Sequence, residues 1–269
     1  MTPESKACAF DYVVREVAPV AEGVHRMVMG VPAELAGALA PGMFVNVEVP
    51  HNPAHLTRVP LSFASADAAA GELELVFAAV GDATRRLAAL RPGEGATVLG
   101  PLGNGWWLPE GAGAGSRVVV VAGGVGLPPV VAAARMARSA GCAVDAVVGA
   151  QSASRLWRGG VDELERLGCS VTVTTDDGTC GLRGFTTDAL LGLMGEHAYA
   201  ACLTCGPNVM MAGVARIARE GGTFCEASLE RMMTCGFGAC STCNVALARG
   251  GYASCCMDGP VFDAEEVAW

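Results

Sequence analysis

The chain has 269 residues, 52% of them hydrophobic and 17% charged, and a net charge of −9. Such a composition supports a large core and excludes an intrinsically disordered chain. The acidic balance, spread without runs of like charge, disfavours nucleic acid and anionic membrane as partners.

The start of the chain, Met1-Thr-Pro-Glu-Ser-Lys6, lacks the basic and apolar regions of an export signal. Twelve cysteines in a chain without such a signal point to the reducing cytoplasm. The first hundred residues then read as short strands at 10–20, 25–30, 43–49, 61–65, 73–80 and 96–100, each bounded by Gly, Pro or Asp. Within them Phe44-Val-Asn-Val-Glu-Val49 alternates as a half-buried strand does. Six such strands predict a small antiparallel barrel over residues 1–108. His51 and His55 are four apart, but Pro53 between them argues against a helical metal pair.

A Gly- and Pro-rich connector over 102–116 precedes a change of pattern. Strands at 118–122, 143–149, 170–174 and 199–204 alternate with helices at 129–139, 161–167, 187–194 and 209–219. That alternation predicts a parallel sheet with helices on both faces, over residues 109–222. The uncharged stretch 118–134 is short for a membrane span, and Gly123, Gly124, Gly126, Pro128 and Pro129 interrupt it. A cysteine-rich unit occupies 223–269.

Three motifs carry chemistry. Gly123-Gly-Val-Gly126-Leu-Pro128-Pro129 lies between a strand and a helix, where glycines let the backbone approach a diphosphate and the helix N-terminus favours the anion. A dinucleotide fingerprint would place a third glycine at Pro129 and an acid after the next strand, where Gly149-Ala-Gln151 stands. Gln151 offers no arginine for a 2′-phosphate, which leans toward NAD over NADP. Cys205-Gly206-Pro207 ends the last apolar strand and faces the same crevice, where a thiol could pack on a nicotinamide ring. A plain turn with a buried thiol is the alternative there.

In the barrel, Arg58-Val59-Pro60-Leu61-Ser62 offers a cation for phosphate and a hydroxyl for a flavin ring, and Gly81-Asp-Ala83-Thr84 opens a short helix. Each is also an ordinary strand end or helix cap. The methionines at 210, 211, 232, 233 and 257 read as gap-filling side chains.

The third motif is the most specific. Cys235-Gly-Phe-Gly-Ala-Cys240-Ser-Thr-Cys243 has the Cys-x4-Cys-x2-Cys spacing of a plant-type [2Fe–2S] site, whose fourth thiolate comes from further along. Gly236 and Gly238 can take positive φ and turn backbone N–H groups toward the sulfurs. Zinc sites favour two Cys-x(2–4)-Cys pairs, and one is present. The adjacent Cys255 and Cys256 both qualify as the fourth ligand, and in extended chain only one of them reaches the irons.

These motifs occur in one order. Ser228-Leu-Glu-Arg-Met-Met-Thr-Cys235 and its continuation, Cys256-Met-Asp-Gly-Pro-Val-Phe262, Gly100-Pro-Leu-Gly-Asn-Gly105, Thr175-Asp-Asp-Gly178 and Cys205-Gly-Pro207 together resemble the electron-transfer subunits of dihydroorotate dehydrogenase B, within the ferredoxin-reductase-like family. The resemblance selects Cys256, which stands two residues before the Asp-Gly-Pro-Val-Phe run. It implies FAD on the barrel, held around Arg58–Ser62, Val76, Phe77, Ala78, Ala83 and Thr84. It implies NAD(H) on the sheet, held by Gly123, Gly124, Gly126, Pro128, Gly206 and Pro207 with Cys205 catalytic. The cluster falls to Cys235, Cys240, Cys243 and Cys256.

Electrons would pass between NAD(H) and a separate flavin-containing catalytic subunit, two copies of each forming a heterotetramer in pyrimidine synthesis. A sibling reductase subunit serving hydrogenase, sulfite reductase or ferredoxin is one alternative, and a non-enzymatic metal-binding module another. The chain departs from the family at Val59, where arginine is usual, at Ala78 and at Ala83. Arg85 or Arg86 could supply the missing charge.

Overall fold

The structure, a computed structural model, describes residues 7–50 and 57–269. Met1–Lys6 and the His51/His55 pair lie outside the described residues. The N-terminal part comprises β1 (Cys8–Ala21), β2 (Val24–Gly30), α1 (Ala33–Ala38), β3 (Phe44–Val47), β4 (Val59–Asp67), β5 (Glu72–Ala78), α2 (Asp82–Ala88) and β6 (Gly95–Leu102). The six strands close into an antiparallel barrel in the order β1-β2-β5-β4-β3-β6. Every one of them was legible as a strand because each buries at least one side: Tyr12, Val14, Met27, Met29, Val45, Val47, Phe63, Leu73, Leu75, Phe77 and Val98 point into a single core.

The sequence continues through β7 (Arg117–Gly123), α3 (Leu127–Ser139), β8 (Ala143–Ala150), α4 (Arg158–Arg166), β9 (Ser170–Thr175), β10 (Leu182–Arg183), α5 (Thr186–Glu196), β11 (Ala201–Cys205), α6 (Asn208–Glu220) and β12 (Phe224–Ser228). Then follow β13 (Asn244–Ala246), β14 (Tyr252–Ser254) and β15 (Val261–Asp263). The large sheet has the order β10-β9-β8-β7-β11-β12-β15. It is parallel from β10 to β12, and β15 closes its edge antiparallel to β12. The Val-Val-Val-Val run of β7 is fully buried because both faces are covered.

The sheet extends past residue 222. The edge strands β12 and β15 both lie within 223–269, so the cysteine-rich unit shares a sheet with the domain before it. The unit's own structure is a two-stranded β13–β14 ribbon and loops. Its Val245, Cys255, Cys256, Phe262 and Val267 are continuous with the core under one face of the sheet.

The opposite core joins sheet and barrel. Val24, Ala64 and Val76, on the outside of the barrel, pack with α3 residues Val130, Val131 and Ala134. A connector residue locks the third unit. Asn104 donates from Nδ2 to the Asp258 and Val261 carbonyls (2.9 and 3.0 Å), and its Oδ1 accepts the Val261 N–H (3.1 Å). Gly103 beside it has φ 72°, and a Cβ there would lie 2.5 Å from Pro260. That contact explains the glycine in the 100–105 motif.

Candidate functional site

The chain order reverses around β7, with β8 on one side and β11 on the other. In open α/β sheets this switch point leaves a crevice beyond the carboxyl ends of the strands. Here the crevice is a cleft of about 940 Å³ closed on its far side by the barrel. Gly123 at the end of β7, Gly124 and Gly126 from the turn after it and Pro128 from the first turn of α3 line it, with Gly206 and Pro207 from the loop after β11 and Val76 and Ala78 from β5.

The two loops need their glycines to touch. A Cβ on Gly126 would sit 2.2 Å from the Cys205 carbonyl oxygen, and one on Gly206 2.9 Å from the Gly123 nitrogen. Gly124 differs: its φ is 55° and no atom lies within 4 Å of an added Cβ. It presents bare backbone at the start of α3, with Pro128 in the first turn. Close-packed glycines around an open one form a cradle suited to a diphosphate.

Cys205 is 2% exposed and does not line the cleft. Burial raises its thiol pKa well above the ordinary range, although Ser228 hydrogen-bonds to it. The thiol is therefore protonated at neutral pH, and its place is behind the cleft wall formed by Gly206 and Pro207.

The predicted flavin stretch divides by strand face. Val59 and Leu61 pack against the barrel core. Arg58 donates from Nη1 to the Thr97 carbonyl (2.8 Å) and from Nη2 to the Thr97 hydroxyl (2.6 Å), and pairs with Glu48 at 3.4 Å. Its guanidinium is engaged within the barrel, and none of residues 58–62 lines the cleft. Phe77 and Ala83 also pack on the barrel core, and Thr84 caps its own helix, accepting the Gly81 N–H at 2.9 Å. Arg86 pairs with Asp82 at 2.8 Å. Arg85 donates to the carbonyl of Val80, which lines the cleft (3.2 Å). Arg85 is the barrel cation next to the cleft wall.

The cysteines form the second centre. Gly236 and Gly238 have φ of 80° and 83°, and Ser241, the one non-glycine with positive φ among the described residues, has 53°. These turns coil the loop so that the Ala239 N–H donates to the Cys235 sulfur (3.3 Å) and the Cys256 N–H to the Cys243 sulfur (3.4 Å). Cys240 lies 3.1 Å from the Thr242 hydroxyl, and hydrogen bonds from that hydroxyl first, then from the Thr242 backbone and from Cys235, lower its thiol pKa to about 6.

The sulfurs approach in pairs: Cys240 with Cys235, and Cys256 with Cys243. Among the described residues no three His, Cys, Asp or Glu side chains converge on a single metal ion. Cys255 turns away, its thiol donating to the Leu229 carbonyl at 3.4 Å. Four thiols from two loops, two of them receiving backbone N–H groups, form a donor set that suits an iron–sulfur cluster. Cys240 is exposed, and the apolar side chains of Met232, Phe237 and Met257 in the same unit are 81%, 50% and 57% exposed.

Several residues at these centres were not among the candidates, although Asp176 and Glu230 stand within the motifs that carry the resemblance. Glu22, Arg155, Asp176 and Glu230 supply the charges around the cleft. Arg155 is tied to Gln151 (2.9 Å) and Glu22 (3.6 Å). Asn46, wholly buried on β3, donates to the Cys235 carbonyl at 3.2 Å. Glu226 is wholly buried on β12. Asn46 reads in sequence as the polar side of an alternating strand, and Glu226 stands two residues from Ser228 in a short strand, so the burial of either shows only in the fold.

A closed antiparallel barrel, a parallel sheet with a glycine-lined cleft against it, and cysteine loops at the sheet edge define a ferredoxin-reductase-like protein with an iron–sulfur unit. Residues 230–268 match the model of the iron–sulfur cluster binding domain of dihydroorotate dehydrogenase B. The chain is 33% identical over 263 residues to the electron transfer subunit of dihydroorotate dehydrogenase B (NAD(+)) of Desulforamulus reducens, covering 97% of this chain and 98% of the relative. A probable subunit of the same name from Methanopyrus kandleri is 40% identical over 208 residues, 77% of this chain and 74% of that one. Among solved structures, that of an NADH-dependent reduced ferredoxin–NADP oxidoreductase, a flavin-based electron-bifurcating enzyme, superposes with a TM-score of 0.85 at 30% identity, covering 96% of this chain and 89% of the other. The chain belongs to the family of dihydroorotate dehydrogenase B electron transfer subunits. No helix among the described residues is long and apolar enough to cross a membrane.

Proposed function

We propose that this chain is an oxidoreductase subunit that relays electrons between NAD(H) and a flavin-containing dihydroorotate dehydrogenase catalytic subunit, in a cytoplasmic assembly of two copies of each. The observation that carries the reading is one sheet serving both centres: a glycine-lined cleft between barrel and sheet, and four thiols in the loops beside the same sheet's edge strands. The three units, 1–108, 109–222 and 223–269, take FAD, NAD(H) and [2Fe–2S] respectively, the third sharing β12 and β15 with the sheet. FAD would accept the electron pair of a hydride and release it one electron at a time, and the cluster would carry single electrons.

The chain's own residues divide the work. Gly123, Gly124, Gly126 and Pro128 give the nicotinamide nucleotide's diphosphate a backbone surface without side chains. Gly206 and Pro207 form the adjoining wall, and Cys205 supports it from behind as a neutral thiol. On the barrel, Val76 and Ala78 offer an apolar face to the cleft. Arg85 is the cation we assign to the flavin's phosphates, because Arg58 is already paired with Glu48. Arg58, Val59, Pro60, Leu61, Ser62, Phe77, Ala83 and Thr84 shape the barrel wall on which the flavin lies. Cys235, Cys240, Cys243 and Cys256 bind the irons. The exposed Met232, Phe237 and Met257 form the face that meets the catalytic subunit, so that the cluster sits at the exit.

Anaerobic purification with flavin, iron and acid-labile sulfide analysis tests the reading. Flavin and cluster absorption bleached by NADH, together with a co-purifying dihydroorotate-oxidising partner, are the expected results. Colourless protein without iron or sulfide would refute it. The similarity to a ferredoxin–NADP oxidoreductase favours one second reading, a sibling reductase subunit. A stable partner that does not oxidise dihydroorotate would establish that reading instead.

A further inference from the structure

One polar side chain ties the barrel to the cysteine loop in a way the relay's plan does not require. Asn46 lies in the middle of β3, between Val45 and Val47 of the barrel core. Its neighbours across the strands are Pro60 on β4 and Leu99 on β6. The side chain is wholly buried, Nδ2 donates to the Cys235 carbonyl at 3.2 Å, and Oδ1 has no partner.

A buried amide oxygen without a donor costs on the order of 1–3 kcal/mol. An apolar side chain of similar shape would avoid that cost, so the amide is explained by what its other end does. The approach is close. A Cβ on Gly236 would sit 2.5 Å from Nδ2, so only glycine, here at φ 80°, lets the loop reach the amide.

The bonded carbonyl of Cys235 belongs to the same peptide unit as the Gly236 N–H. Donation to a carbonyl polarises its peptide and strengthens the N–H at the other end as a donor. It also fixes the plane of that peptide, and with it the direction of the N–H. Peptide N–H groups aimed at cluster sulfurs stabilise the more negative, reduced state.

We propose that Asn46 is a positioning residue for the iron–sulfur centre: it pins the Cys235–Gly236 peptide to the flavin-bearing barrel, holding the cluster at a fixed distance from that barrel and raising its reduction potential. The inference rests on the cluster reading above.

The test compares wild type with Asn46→Leu and Asn46→Asp as whole, anaerobically prepared protein. The cluster midpoint is read by EPR-monitored titration, and exchange of the Gly236 amide by hydrogen–deuterium exchange. Asn46→Leu removes the donor and the unpartnered oxygen together, so folding stability should hold or rise while the midpoint moves negative and exchange quickens. Asn46→Asp, which places a negative charge beside the Cys235 carbonyl, should move the midpoint further in the same direction. A purely structural amide would give the reverse pattern: lost stability in Asn46→Leu with an unmoved midpoint. Unchanged midpoints in both variants would overturn the proposal. A wild-type protein without iron would instead defeat the reading on which it rests.

Discussion

Glu226→Gln should flatten the dependence of stability on pH. Glu226 sits on β12, its backbone paired with Leu203 on one side and Asp263 on the other. The side chain is wholly buried; Oε2 accepts the Trp107 N–H at 3.0 Å, and Oε1 has no partner. Burial first, then the nearby Asp263 charge, raises its pKa from 4.5 to about 8. The folded protein therefore holds a proton here that the unfolded chain releases above pH 4.5.

The sign follows from linkage. Where the native state binds more protons than the unfolded state, stability falls as pH rises. The contribution is fully present below 4.5 and declines up to about 8. At about 1.4 kcal/mol per pH unit, the decline across that window from 4.5 to about 8 is at most about 5 kcal/mol. Glutamine reproduces the neutral acid in shape and keeps an oxygen for Trp107. Urea unfolding followed by tryptophan fluorescence should give similar midpoints for both proteins near pH 5. The variant should become the more stable one by several kcal/mol above pH 8. Acids remote from Glu226 contribute equally in both chains, so the difference reports this carboxyl and its interaction with Asp263. A stability difference that stays constant from pH 5 to pH 8.5 would refute the reasoning.

The remaining expectations concern the two centres. Cys256→Ala should abolish the cluster's visible absorption while Cys255→Ala keeps it, because the Cys255 thiol is committed to the Leu229 carbonyl; the reverse result would exchange the ligand assignment. Gly126→Ala forces a methyl to within 2.2 Å of the Cys205 carbonyl oxygen and should cost about 1–3 kcal/mol along with NADH affinity, both read by calorimetry. Gly124→Ala, which meets no atom but has φ 55°, should cost about 1–2 kcal/mol by backbone strain; a Gly126→Ala variant with unchanged stability and NADH affinity would dispute the close-packing argument. Chemical removal of iron should leave the far-ultraviolet circular dichroism of the chain intact, and global unfolding on iron loss would contradict that.

Local pattern carried most of the fold. Six barrel strands and the β7–β11 alternation were readable because each buries one or both faces with a regular period, and the glycine loop because it stands at a strand-to-helix boundary. The edge of the sheet was not readable. β12 and β15 are five and three residues long, and Cys225, Glu226 and Ser228 interrupt the apolar run of β12. Their assignment depends on pairing with each other across more than thirty intervening residues, which no window along the chain reveals. The same holds for Arg58. Its side-chain chemistry suggested a phosphate, yet Thr97 and Glu48, distant in sequence, take up its donors. Residue type announces what a group can bind, and the fold decides whether it is free to do so.

The path of the chain through the cysteine unit explains why its fold should not depend on its metal. The backbone leaves the sheet at the end of β12, winds through the cysteine loops and the β13–β14 ribbon, and returns as β15 against the strand it left. Ser228, the last residue of β12 before that excursion, and Val261, the first of β15 after it, are a register pair. Both ends are thus fixed by the same hydrogen-bonded ladder, and Asn104 grips the returning segment from the connector. Leu229, Val245 and Val267 are buried in the sheet's own core, so the excursion has apolar anchors independent of iron. Small metal domains that unfold without their ion lack such anchors. Here the sheet bears the unit's stability, which leaves the cysteine loop's geometry to serve the cluster.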